Sequence, residues 1–282
     1  MTYHLLNLLS FLPLGLLRVV GWLGAIGYFF FAWKEQYKIH RRMYHCFRHK
    51  SWFWRLGLRW RYAFRLLEFV MGVAKMGHAP RNLLSRRVQL SGTDGLKLSA
   101  GQRGVLLGGH QFHWELLNWA LFPLPATEAL LVYYPHPDRG LNRWLKEIRS
   151  RYGGTPVPVG GFTPAFVAPQ QDKAIVAGLL ADQHPYNPAK HRWETIDFLN
   201  RPTRFVTGYW ELITAKQAKV FYLSLRRTGW LRYAAELVPE PEALKHLPFE
   251  ARTAAYAHHL EASILQQPEN WLWTHNRWPA EA

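Results

Sequence analysis

The chain has 282 residues, with 35 Lys+Arg against 19 Asp+Glu and a formal net charge of +16. That length fills one large domain, or one domain with an attached segment, and 49% hydrophobic and 15% aromatic residues exclude wholesale disorder. A lone cysteine, Cys46, excludes an internal disulfide and every multi-cysteine zinc or iron–sulfur signature, while the charge calls for an anionic partner: nucleic acid, membrane or acidic carrier.

Where the charge sits narrows the choice. From Leu5 to Trp33 the chain is apolar apart from Arg18. The next stretch, Lys34 to Arg61, holds nine Lys/Arg and one acid, Glu35, half of the net excess in a tenth of the length. Tyr37, Tyr44, Trp52, Trp54 and Trp60 are interleaved with these cations. Cations mixed with Trp and Tyr beside an apolar helix suit the headgroup level of an anionic membrane surface. No zinc-finger spacing or RNA-recognition signature accompanies them, so nucleic acid is not the expected partner.

The apolar stretch admits three readings. Leu14 to Trp33 is 20 residues, about the length that crosses a bilayer. Pro13 and Gly15 would instead break the stretch into two pieces lying in the interface, and a buried core helix is the third reading. A cleaved signal peptide is not expected, because the start lacks a basic segment and no small-residue cleavage site follows. The cations after Trp33 place the rest of the chain on the cytoplasmic face. The expected organisation is a membrane anchor over 1–33, a basic aromatic interface segment over 34–80 and an α/β domain over 81–282.

In that domain, apolar runs at Gly104–Leu107, Ala129–Tyr134, Ala174–Ala181, Thr195–Leu199, Lys219–Leu225 and Leu231–Val238 read as strands. Helical patterns fall at His113–Leu121, Gly140–Tyr152, Thr203–Lys216 and Glu250–Gln266, the last stopped by Pro268. Arg227-Thr228-Gly229 reads as a hairpin turn with Gly229 free to take a positive φ. The interleaving predicts an α/β fold: a mostly parallel mixed sheet flanked by helices, with one antiparallel hairpin.

The chemistry begins at Gly104, where GVLLGGHQFHWELLNWALF reads as strand, two glycines, histidine and amphipathic helix. His110 and Glu115 meet if His110 lies in the loop held by Gly108 and Gly109 and Glu115 sits in the first helical turn. An imidazole oriented by a carboxylate is a general base able to deprotonate an alcohol that attacks an activated acyl group. Spacing alone allows the opposite reading, in which His110 is one of 14 histidines and Glu115 favours a helix N-terminus.

GGHQFHWEL resembles the His-x4-Asp/Glu motif of the glycerolipid and lipid A acyltransferases, most closely the bacterial late (secondary) lipid A acyltransferases. Those enzymes commonly read His-Phe/Tyr-Gly-Asn-Trp-Glu; this chain keeps His110, Trp114 and Glu115 and substitutes Phe112 and His113. LNRWLKEIRSRYGG is similar to the family's arginine block, with Arg149 and Arg151 as candidates. Ala181-Asp182-Gln183, the stretch from Asp197 through Gly208, PENWLWTHNRW at Pro268–Trp278 and the upstream Leu66-Leu67-Glu68 have counterparts too, so nearly the whole chain is covered.

The resemblance implies a membrane-bound O-acyltransferase with a fatty acyl thioester donor, acyl-acyl carrier protein or acyl-coenzyme A, and a lipid A precursor as glycolipid acceptor. It implies His110 and Glu115 as a general-base dyad, and a location at the cell inner membrane. Arg149 and Arg151 brace a phosphate or oxyanion, or simply complement a helix dipole. Asp182 and Gln183, expected at the carboxyl end of a strand, bind substrate or cap a loop. His110 and His113 have metal-ligand spacing, but no further ligand completes a site, so neither metal nor cofactor is expected. Trp271, Trp273, Trp278 and Arg277 are expected to close the core or touch the membrane. Acylation of another membrane lipid, such as a phosphatidylinositol mannoside or an aminolipid, and a non-catalytic lipid-binding protein on the same fold remain open alternatives.

Overall fold

Pro13 divides the N-terminal apolar stretch. The residue before a proline is driven out of the helical region, and Leu12 is extended at φ −64°, ψ 141°, so helix α1 (Thr2–Phe11) ends and α2 (Leu14–Phe31) starts afresh. The computed structural model describes residues 1–117, 127–170, 172–184 and 191–279. Helix α3 (Trp33–Cys46) follows, then α4 (Trp52–Lys75), whose N-cap Ser51 accepts the Trp54 backbone N–H at 3.2 Å.

The remaining described elements alternate along the chain: α5 (Arg81–Ser85), β1 (Val88–Ser91), β2 (Arg103–Gly108), β3 (Thr127–Tyr133), α6 (Arg139–Arg151), β4 (Gly154–Pro158), α7 (Phe162–Val167) and β5 (Ala174–Leu180). Then come β6 (Trp193–Asp197), β7 (Pro202–Val206), α8 (Tyr209–Ala215), β8 (Lys219–Gly229), β9 (Arg232–Pro239) and α9 (Phe249–Gln266). Seven strands form one sheet in the order β1-β9-β8-β2-β5-β3-β4, parallel throughout except for the β8–β9 hairpin; β6 and β7 form a separate antiparallel pair. The fold is α/β with a mostly parallel sheet, as the interleaving of runs predicts.

Central strands are apolar on both faces because helices cover both. Leu106 of β2 joins Val73 and Ala74 of α4 and Trp144 and Ile148 of α6 on one side. Its neighbours Val105 and Leu107 join Tyr256, Leu260 and Ile264 of α9 on the other. The two-residue period of the strand thus places one side chain in each core.

Four expectations change. The pattern at Thr203–Lys216 is a strand and then a helix: alternate burial of Thr203 and Phe205 lets β7 pair with β6, and the helix begins only at Tyr209. β1 (VQLS) and β4 (GTPVP) are further strands, whose polar, glycine and proline residues leave no continuous apolar run. The hairpin turn lies at Trp230-Leu231, beyond Arg227–Gly229, and Leu231 rather than Gly229 takes the positive φ, at 49°. Of the helix expected at His113–Leu121, Trp114–Leu116 form a 3-10 turn, and 118–121 lie outside the described residues.

Buried Glu68 of α4 fixes that turn. Its carboxylate accepts from the Leu231 backbone N–H at 2.7 Å, the Arg227 Nε at 3.0 Å, the Tyr233 hydroxyl at 3.2 Å and Arg65 Nη1 at 3.3 Å. Removing one partner of a buried charge network leaves the others without compensation. Glu68→Ala is therefore expected to destabilise the fold by about 3–5 kcal/mol, read as a lower denaturant midpoint at unchanged slope. A loss under about 1 kcal/mol would mean that the network is not what joins α4 to the sheet.

Candidate active site

Parallel register builds the site. Gly108 of β2 lies opposite Leu180 of β5, and the Ala181 N–H donates to the Gly108 carbonyl at 3.0 Å, so the strands leave the sheet at the same level. Two residues on, His110 and Asp182 stand side by side at the carboxyl ends of adjacent central strands, where α/β sheets place their ligand sites. The His110 Nδ1 to Asp182 Oδ1 distance is 2.6 Å, and the His110 backbone N–H donates to Asp182 Oδ2 at 2.8 Å. Gly109 makes this approach possible: a Cβ there would stand 3.0 Å from Asp182 Oδ2 and 2.5 Å from Leu260 Cδ1.

Asp182 is 1% exposed. Burial by itself would raise its pKa, but the charge and hydrogen bonds of His110, together with the Trp271 indole N–H at 2.7 Å, hold it down to about 2. An ionised carboxylate only accepts, so His110 Nδ1 is the donor, and in the neutral ring Nε2 carries the lone pair. The imidazole side chain is 17% exposed, against 1% for its partner. Nearby His275, whose Nε2 accepts the His184 backbone N–H at 3.2 Å, is driven down to about 4 by burial. It is neutral at pH 7 and does not compete for Asp182.

The C-terminal block braces this loop. Leu272 N–H donates to the His110 carbonyl at 3.0 Å, Phe112 N–H donates to the Asn270 carbonyl at 2.7 Å, and Asn270 Nδ2 returns to the Phe112 carbonyl at 2.7 Å. Trp271, Trp273, Trp278 and Arg277 are all buried, which settles their place as core rather than membrane contact. Trp271 also orients Asp182, a role the sequence reading did not give it.

Glu115 occupies a different position from the one expected. It is buried, and its carboxylate takes Arg149 by two donors, Nε at 3.0 Å and a closer Nη2. Trp114 Nε1 adds a third at 3.1 Å. Burial opposes the charged form of Glu115, but the Arg149 charge prevails and its pKa is lowered. The carboxylate on His110 Nδ1 is thus Asp182, 72 positions away, while Glu115 holds the arginine. The indole of Trp114 links the two pairs, with its ring centroid 5.0 Å from that of His110.

Arg149 and Arg151 part company. Two residues on a helix turn through about 200°, so Arg149 faces Glu115 and the Tyr133 ring, 5.2 Å away. Arg151 lines a groove with Tyr3, Asn7 and His78 instead. Arg149 Nη1 is buried with no hydrogen-bond partner among the described residues. Gln183 follows Asp182, partly buried, and makes none of the hydrogen bonds above. The ring of His113 is packed against Phe69 and Tyr233, and burial pushes it down to about 4. Among the described residues no group of three His, Cys, Asp or Glu is placed to hold a metal ion.

No curated protein matches the chain. A family model does: that of the bacterial lipid A biosynthesis acyltransferases aligns with residues 3–280, from the first helix through the block that braces His110. With nearly the whole length matched, the chain belongs to the bacterial lipid A biosynthesis acyltransferase family.

Proposed function

We propose that this acyltransferase moves a fatty acyl chain from an acyl thioester to a hydroxyl of a lipid A precursor, with His110 as general base. The observation that carries the reading is the His110–Asp182 pair at 2.6 Å. The acceptor O–H gives its proton to His110 Nε2 as its oxygen attacks the thioester carbonyl carbon. Asp182, fixed by Trp271, holds the ring and stabilises the imidazolium. The tetrahedral intermediate collapses with loss of the C–S bond, and the thiolate takes the proton back from Nε2. Arg149, oriented by Glu115, offers Nη1 to the developing oxyanion or to a phosphate of the acceptor. The thioester already activates the acyl group. A chain of net charge +16 attracts both anionic donors, acyl-acyl carrier protein and acyl-coenzyme A.

We assign acyl transfer to residues 81–282, membrane attachment to 1–33 and contact with anionic headgroups to 34–80, at the cytoplasmic face of the inner membrane. The apolar length of α2 and the local charge excess after Trp33 support this division.

His110→Ala should abolish transfer in a thioester-consumption assay, and Asp182→Asn should lower kcat by about 10²–10⁴-fold. Glu115→Gln should act through Arg149, leaving the His110–Asp182 pair and its pH dependence in place. Near-normal turnover in folded His110→Ala would overturn the mechanism. Lipid mass spectrometry of cells with and without the protein should show one acyl mass on lipid A; a shift on another lipid class would reassign the acceptor.

The pH dependence follows from the carboxylates. The Asp182 pKa is lowered to about 2 and that of Glu115 is lowered too, so both stay ionised through the acid limb of the rate profile. Neither carboxylate should therefore contribute a proton to log kcat/KM above about pH 5. Stability contributed by Asp182 is present above its unfolded pKa of about 3.9 and is lost only as pH falls towards about 2. A loss of kcat/KM above about pH 5 that disappears in Glu115→Gln would show that its carboxylate is protonated there and overturn this reading. The full-length chain should also resist salt extraction from membranes and require detergent, because its apolar helix faces are not screened by salt.

A further inference from the structure

The geometry points to α1 and α2 lying in the plane of the membrane, sunk into one leaflet of an anionic bilayer, with α2 not crossing it. This rests on the membrane attachment proposed above and specifies how it is made.

Helix α2 runs antiparallel along α4. Gly21 lies against Met71 and Leu67, Gly24 against Leu67, and Phe29 against Trp60 with ring centroids 4.8 Å apart. A Cβ on Gly21 would stand 3.1 Å from Met71 Cγ, so the small residue brings the helices close. Leu17, Gly21 and Ala25, four residues apart, form the buried face. Leu16, Val19, Leu23, Ile26 and Phe30 form an exposed one, and Leu5, Leu8 and Phe11 extend it along α1.

Both ends of α2 are tied to the folded domain. At its start, Lys75 Nζ donates to the carbonyls of Ser10 and Leu12 at 2.9 and 3.0 Å, and the Phe11 ring lies 4.0 Å from that of His78. Before it, Thr2 Oγ1 donates to Asp138 at 2.8 Å and the Tyr3 hydroxyl to Glu147 at 2.7 Å, fastening α1 to α6. At its end, Arg59 stands over the Phe29 ring at 5.5 Å. A crossing α2 would carry α4 into the hydrocarbon, with Arg59, Arg65 and Glu68, or would break every one of these contacts. Lying flat satisfies both demands: the apolar stripe enters the leaflet and the charged flank of α4 stays at the surface.

Charge complementarity identifies the occupant. Arg18 and Lys34 stand over the rings of Trp22 and Trp33 at 4.8 and 5.5 Å. Cation and indole together are the pair that settles at an anionic headgroup layer, and they border an apolar face that has no charge of its own to offer a soluble partner. The far side of α4 places Phe69 against Phe112 and Trp114, so one helix separates the membrane face from the His110 loop. A lipid-anchored acceptor then reaches the site without leaving its leaflet.

The sole cysteine, Cys46, is buried, so an added cysteine reports alone. Thr2→Cys and, as a reporter for the sheet domain, Asp94→Cys are each treated with a membrane-impermeant maleimide in intact spheroplasts and in inverted inner-membrane vesicles. Both should be labelled in inverted vesicles and protected in spheroplasts, since the N-terminus and the domain share one side. Labelling of Thr2→Cys from outside, with Asp94→Cys protected and acyl transfer retained, would overturn the in-plane arrangement and leave the proposed function standing. Recovery of the unmodified chain as a detergent-free soluble dimer would show a second copy on the apolar face and overturn both the in-plane arrangement and the proposed membrane attachment.

Discussion

An ionised carboxylate sealed from water survives only when donors replace the solvent it has lost, and at Asp182 those donors are the site itself. His110 supplies two of them, ring and backbone, and Trp271 the third. Each depends on a different part of the chain. The backbone donor needs the absence of a side chain at Gly109, the ring donor needs β2 and β5 in parallel register, and the indole needs the C-terminal block folded back over the loop. The His110–Asp182 pair is therefore not a local motif with a helper five residues away. It is the meeting point of three segments, held at the centre of the sheet.

Helix α4 carries the second set of dependencies. One side rests on the sheet through Glu68, whose carboxylate closes the β8–β9 turn, and Phe69 stacks against the His110 loop. Its other side receives α2 along two glycines. The helix that braces the His110 loop is thus also the bed of the apolar surface, which couples the position of that surface to the position of the loop.

The cations divide by burial. Arg149 and Arg227, mostly buried, are matched to Glu115 and Glu68 at hydrogen-bonding distance. Those ion pairs set geometry, since desolvation offsets most of their attraction. Lys34, Lys38, Arg41, Arg48 and Lys50 are exposed, with Glu35 the one acid in 34–61, and carry the unbalanced charge that a headgroup layer or an acidic carrier would meet.

The sequence by itself determined the α/β class, because short apolar runs alternating with helical periods allow little else. It also located His110 at the end of a strand and the charge excess after Trp33. Residues close in sequence were the source of each misplacement. Thr203–Val206 continues smoothly into the pattern of α8, and only pairing with β6 makes it a strand. Gly229 is the natural turn residue, but Glu68, far away, moves the turn to Leu231. Glu115 is near His110 in sequence, yet a 3-10 turn sends its carboxylate to Arg149. Which acid meets the imidazole is fixed by which strands are neighbours and in what register, a long-range choice made when the whole sheet packs. No spacing along the chain encodes it.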